Sequence, residues 1–298
     1  MNKIEFYKNR SLGERFSASV EFIRQNWKVM YKIILIPAIP LALLQGYFQQ
    51  IYMSDYMAKI SQLIYSGDIK DLSAFSSGGT WMFLLVAALF AITLSAMTGA
   101  IMSRYGEGLL SKETTLKDLS DKILSNMGKL VLIGLVMGLI VMFATILIVM
   151  LIILLGAVSN VLMVLGFTLL FVAVFAIIPP LYLIRFPALF QGESTMGSIK
   201  KGWRLGFKSW GTTFLTIIIV GIVSAVISAI LAIPYSIWIA THLGQSGVVS
   251  YTLSGISSLG TAFVAPLVFV FFAFQYFAVV ENVEGTSLQE KVEEFDNL

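Results

Sequence analysis

Six long apolar runs divide this chain, and its basic residues crowd into every second connection between them. The runs cover residues 29–51, 80–102, 129–155, 161–183, 212–239 and 260–280. Each is near the roughly 20 residues with which a helix crosses about 30 Å of hydrocarbon. In lipid a chain must satisfy its own backbone N–H and C=O groups, so such runs fold as helices. The pattern predicts an all-α fold. It is a polytopic membrane helical bundle of six transmembrane helices, one integral membrane domain over 1–298, with a tail at 281–298. Charged residues make up only 12% of the chain, against about 25% in ordinary soluble domains.

Eighteen of the twenty Lys and Arg residues belong to the N-terminal segment, the second-to-third and fourth-to-fifth connections, and the tail, counting Lys32 and Lys129 at the adjoining edges of the first and third runs. The other three connections hold only Lys59 and Lys70. Basic residues stay on the cytoplasmic side, so both termini are expected there, in a multi-pass protein of the cytoplasmic (inner) membrane. The outer loops are then 52–79 and 242–259. Residues 1–28 are charged and lack the short apolar core and cleavage site of a signal peptide. The third and fourth runs are separated only by Gly156, Ala157, Val158, Ser159 and Asn160, which reads as a tight hairpin.

Three amphipathic stretches precede spans 1, 3 and 5, and each is expected to form a cytoplasmic interfacial helix. The first sets Leu12, Phe16, Val20, Ile23 and Trp27 against Glu14, Arg15, Glu21 and Arg24. The second sets Leu116, Leu119, Ile123 and Met127 against Lys117, Asp118, Asp121 and Lys122. The third sets Met196, Ile199, Trp203, Phe207 and Trp210 against Lys200, Lys201, Arg204 and Lys208. Ser11 with Glu14, and Thr115 with Asp118, are capping-box patterns. The chain thus reads as one unit used three times, by triplication or by convergence on the same boundary physics.

Small residues four apart, at Gly134 and Gly138, Gly221 and Ala225, and Ser254 and Ser258, suit close helix packing in lipid. Prolines at 37, 40, 179, 180, 234 and 266 predict kinks.

The fourth-to-fifth junction runs from Leu181 through Arg185 and Pro187 to Phe190, then Gly192 and Glu193. It continues with Ile199, Lys200, Lys201, Gly202, Trp203, Arg204 and Leu205, then Ser209, Trp210 and Phe214. This resembles the membrane region of the glycerophosphoryl diester phosphodiesterase membrane-domain family and related bacterial proteins. The resemblance implies a six-span membrane module. In those phosphodiesterases a soluble catalytic barrel follows the membrane region. Here only eighteen residues follow Val280, so no hydrolase activity is expected.

Several chemistries find no residues to carry them. There is no Cys and only one His, His242, so neither a thiolate nor a multi-His metal site is available and no cofactor is expected. No GxxxxGK[ST] loop is present. No ionisable side chain lies deep in a run; Lys32, Arg104 and Arg185 fall near run ends, where they can snorkel. Net charge is only +3, which gives nucleic-acid binding little support. Gln45, Gln49, Gln50 and Gln275 are expected to hydrogen-bond between helices. The tail carries Leu288, Val292 and Phe295 among acidic residues, with Ser287 and Glu290 as a cap.

The expected function is non-catalytic: an accessory or scaffolding membrane protein that engages lipids, anionic ones included, or a protein partner. The alternative is a permease-like transport component for a lipid-like or weakly charged substrate. The expected binding residues are Arg185, Lys200, Lys201, Trp203, Arg204, Lys208 and Trp210, because cations and tryptophans at a membrane boundary attract anionic headgroups and anchor in the interface.

Overall fold

The computed structural model describes residues 3–66, 78–242 and 247–285. Among them all regular structure is helical: α1 (Leu12–Ser66), α2 (Gly78–Gly106), α3 (Leu116–Val158), α4 (Asn160–Leu183), α5 (Arg185–Phe190), α6 (Thr195–Lys208), α7 (Trp210–His242) and α8 (Val248–Glu284). Six segments are long and apolar enough to cross a membrane: α1, α2, α3, α4 taken with α5, α7 and α8.

The helices outrun the apolar runs. α1 has 55 residues, about 80 Å at 1.5 Å per residue. The expected interfacial helices before spans 1 and 3 are therefore not separate elements; they are the opening turns of α1 and α3. The predicted caps start both. Ser11 N–H donates to Glu14 at 2.7 Å, and Thr115 N–H donates to Asp118 at 2.8 Å. Nothing between cap and span breaks the ladder, so the helix propagates. Only the third stretch is a helix of its own, α6, ended at Ser209. α1 also runs through Pro37 and Pro40 into the expected first outer loop. α8 begins inside the second, where Ser250 Oγ accepts from Gly247 N–H at 2.9 Å. Residues 67–77 and 243–246 of those loops, and the tail pattern at 287–298, lie outside the described residues.

The hairpin between spans 3 and 4 turns on one residue. Ser159 is extended, and its hydroxyl accepts from Val161 N–H at 3.2 Å. Gly166 then packs beside Ile152, and Gly156 beside Met163, as antiparallel neighbours.

The chain divides into two compact units. The first comprises Met1–Ser19, Leu124–Ile218 and Phe272–Leu298. Its core is aromatic. Phe6 stacks on Phe277 at 4.7 Å and meets Phe274 edge-on at 5.7 Å, while Phe186 stacks on Tyr276 at 5.4 Å. The second comprises Val20–Ile123 and Ile219–Phe271. There Phe22 meets Tyr105 edge-on at 5.0 Å, and Gly46 lies against the backbone of Gly255.

Of the spaced small residues, Ser254 and Ser258 are buried. Gly134, Gly138 and Gly221 face open space among the described residues, so no neighbouring helix packs on those glycines there. Their neighbours Leu135, Leu139 and Ile222 are exposed, as a lipid-facing wall would be.

Candidate functional site: the α4–α6 corner

The corner exists because α6 inserts a hydroxyl into the α4 ladder. Within a continuous helix Ala188 N–H would donate to Ile184 C=O. Instead Ser198 Oγ lies between them, donating to Ile184 C=O at 2.5 Å and accepting from Ala188 N–H at 3.0 Å. A side chain in the ladder breaks a helix, so α4 ends at Leu183 and α5 starts at Arg185. Lys129 Nζ donates to Ala188 C=O at 3.0 Å, and Ile133, Ile184, Ala188 and Ile199 close over the joint.

Prolines in α4 leave further carbonyls to be met. Pro180 has no N–H for Ala176 C=O. Trp210 Nε1 donates to that carbonyl at 2.8 Å, with its ring stacked on Phe214 at 4.9 Å. Trp210, expected at a binding surface, is thus engaged by α4.

α6 packs on α4 and α5 through small residues. Ser198, Gly202 and Gly206 are buried with Ile199 and Leu205. A Cβ at Gly202 would collide with the backbone of Ile184, and one at Gly206 with that of Pro180. The seam is a small-xxx-small pair. Its signal, glycines four apart, was present in the sequence but lay in a stretch read as surface.

This seating divides the expected apolar stripe. Ile199 faces in, whereas Met196, Trp203 and Phe207 are exposed. At about 100° per residue these three align on one outward ridge. Lys200, Arg204 and Lys208 form the adjoining row, all exposed. Trp203 and Phe207 meet edge-on at 5.3 Å. Arg185, at the start of α5, is partly buried, with its guanidinium 5.1 Å from the Phe186 ring.

Lys201 borders the buried side. Its Nζ is 2.9 Å from Glu284 and 3.7 Å from Glu193. Glu284 also pairs with Arg204. Neither carboxylate was expected in the site. Glu193 is carried on the Gly192 turn, and Gln191 beside it accepts from the buried Tyr276 hydroxyl at 2.7 Å. Among the described residues, no carboxylate pairs with Lys200 or Lys208.

The first amphipathic stretch departs from expectation at Arg15. Val20 and Trp27 are exposed, while Arg15, expected on the polar face, is only 7% exposed. Its guanidinium donates to Gln275 Oε1 at 2.7 Å and to Arg10 C=O at 2.9 Å. Gln275, fully buried, donates to Thr213 at 3.0 Å and Thr212 at 3.3 Å and accepts from Thr216 at 3.2 Å. The expected bonding role of Gln275 is thus met, and Arg15 is its unforeseen partner. Arg10 donates to the carbonyls of Phe6 and Glu5. Desolvation holds its guanidinium below the ordinary arginine value, against the pull of Glu5 and Glu14.

In the second unit, Gln50 accepts from Tyr235 at 3.0 Å and Gln49 accepts from Ser258 at 3.3 Å. Gln45 Oε1 and Trp238 Nε1 are buried there and have no hydrogen-bond partner among the described residues. Comparison with known proteins returns no match for this chain: not to a family model, not to a curated protein and not to a solved structure.

Proposed function

We propose that this protein is a non-catalytic accessory protein of the cytoplasmic membrane, with both termini cytoplasmic, which holds anionic lipid headgroups on the outward face of α6. One observation carries the reading: an exposed ridge of Met196, Trp203 and Phe207 runs beside an exposed row of Lys200, Arg204 and Lys208. Aromatic rings anchor at the headgroup level, and cations beside them attract anionic lipid. The rear of α6 lies close against the backbone of Ile184 and Pro180 at Gly202 and Gly206, which leaves this face outward. Lys201 is held by Glu193 and Glu284 and serves chiefly to fix α6.

The test is anionic-lipid retention by purified protein with Lys200, Arg204 and Lys208 changed to Gln. Each cation near an anionic leaflet contributes about 1 kcal/mol, so retention should fall steeply, and less so in high salt. Unchanged retention in correctly inserted protein would overturn the reading. Loss of a co-purifying protein in place of lipid would assign the face to a protein partner.

A second reading is transport of a lipid-like or weakly charged substrate. It is favoured by the buried polar atoms of Gln45 and Trp238 on two apolar helices, since unmet polar groups in hydrocarbon are costly. Altered flux into vesicles on changing Gln45→Leu and Trp238→Phe would favour it.

A further inference from the structure

α8 ends at Glu284, and Glu284 is already on the α6 face, paired with Lys201 and Arg204. Gly285 closes the helix, its N–H donating to Glu281 C=O at 3.0 Å. The chain therefore enters residues 286–298 beside the basic row of α6. Those thirteen residues carry Glu290, Glu293, Glu294 and Asp296 against the single Lys291. They also carry Leu288, Val292 and Phe295 at a spacing of four and three, which lines up on one side of a helical period. The α6 face is the complement in both respects. Lys200 and Lys208 are exposed cations with no carboxylate among the described residues, and Met196, Trp203 and Phe207 are an exposed apolar ridge.

Reach does not limit the pairing. Wound as a helix, thirteen residues extend about 20 Å, close to the length of α6 itself; drawn out, they extend about 45 Å. An acidic segment gains nothing from an anionic leaflet, because like charges repel there. Against Lys200 and Lys208 it completes the neutralisation that Glu284 begins.

We propose that residues 286–298 dock on the outward face of α6 and compete there with anionic lipid headgroups, so that the tail regulates lipid capture. The competition rests on the lipid-binding reading of α6; the docking contact does not. Glu284 is the fixed end of the device, and the charges beyond it are the exchangeable part.

The absence of native cysteine allows a direct test. In the full chain, reconstituted in phosphatidylcholine vesicles, Lys200→Cys is paired with Glu293→Cys, and Lys208→Cys with Glu290→Cys. Lys112→Cys with Glu293→Cys is the control. Mild oxidation should crosslink at least one α6 pair well above the control. Added phosphatidylglycerol should suppress that crosslink. In parallel, phosphatidylglycerol binding is measured for the full chain with Glu290→Gln, Glu293→Gln, Glu294→Gln and Asp296→Asn. It should rise about fivefold, the factor that one charge near an anionic leaflet represents.

No α6 crosslink above the control would overturn the docking. A crosslink with unchanged phosphatidylglycerol binding in the tail variant, while the Lys200, Arg204 and Lys208 variant loses lipid, would overturn the competition and leave lipid binding standing. If the α6 charge variant also keeps its lipid, the headgroup reading fails, and the crosslink alone then decides the docking.

Discussion

The indole N–H of Trp210 donates to the carbonyl of Ala176, the acceptor that Pro180, four residues on, cannot serve. A proline opens the ladder of α4, and a tryptophan from the start of α7 closes it. The joint between α4 and α5 repeats the principle, with Ser198 between Ile184 and Ala188. Two breaks in one helix, each met by a side chain from a later segment, create the corner on which α6 is seated.

Trp210→Phe keeps the ring stack and removes only the donor. The carbonyl is part-buried, so leaving it unmet costs about 1 kcal/mol, the low end of the range for buried groups. Thermal unfolding in detergent should shift downward accordingly, with phosphatidylglycerol retention by the folded protein unchanged. Loss of lipid without loss of stability would return Trp210 to the binding surface.

Gly202→Ala and Gly206→Ala should each force α6 off its seat, because the added methyl meets backbone that cannot move aside. Overpacking of this kind costs about 1–3 kcal/mol or more. Gly138→Ala and Gly221→Ala, which meet open space, should leave stability within the scatter of surface substitutions. Protease protection of the α5–α6 connection reads the displacement, and equal effects at all four positions would contradict the seam.

Gln275→Leu should be among the most damaging single changes in the first unit. It strips an acceptor from the buried guanidinium of Arg15, and hydrogen bonds to charged groups contribute about 1.5–3 kcal/mol each. Arg15→Met in the same background should recover part of the loss, since it removes the stranded charge. Chemical denaturation of the two single variants and the double variant forms the cycle. Strictly additive losses would show that the pair does not interact.

The charge asymmetry predicts accessibility. Cysteines at Ser11 and Asn297 should resist an impermeant thiol reagent in intact cells, or in spheroplasts where an outer membrane intervenes. One at Ser76 should react. Labelling at either terminus would require a missed or additional crossing.

Much of the architecture was legible from the chain alone. Six apolar runs of bilayer length dictate six helices, because unbroken apolar sequence in lipid has no other way to satisfy its backbone. The caps at Ser11 and Thr115 and the hairpin at Ser159 were readable because each bond closes within a few residues. Which face of an amphipathic helix turns inward was not. Periodicity aligned Met196, Trp203 and Phe207, but only the tertiary structure took Ile199 out of that stripe and buried it with Gly202 and Gly206, since close backbone approach, not hydrophobicity, selects the face against Ile184 and Pro180. Arg15 looked like solvent-side charge until Gln275, 260 residues away in sequence, supplied its acceptor. Glu284 is one acidic residue among several near the C-terminus in sequence, and only folding places it on Lys201 and Arg204. Local bonds and total apolar length are properties of sequence; the partner of a charge across the fold is decided only when distant segments are brought together.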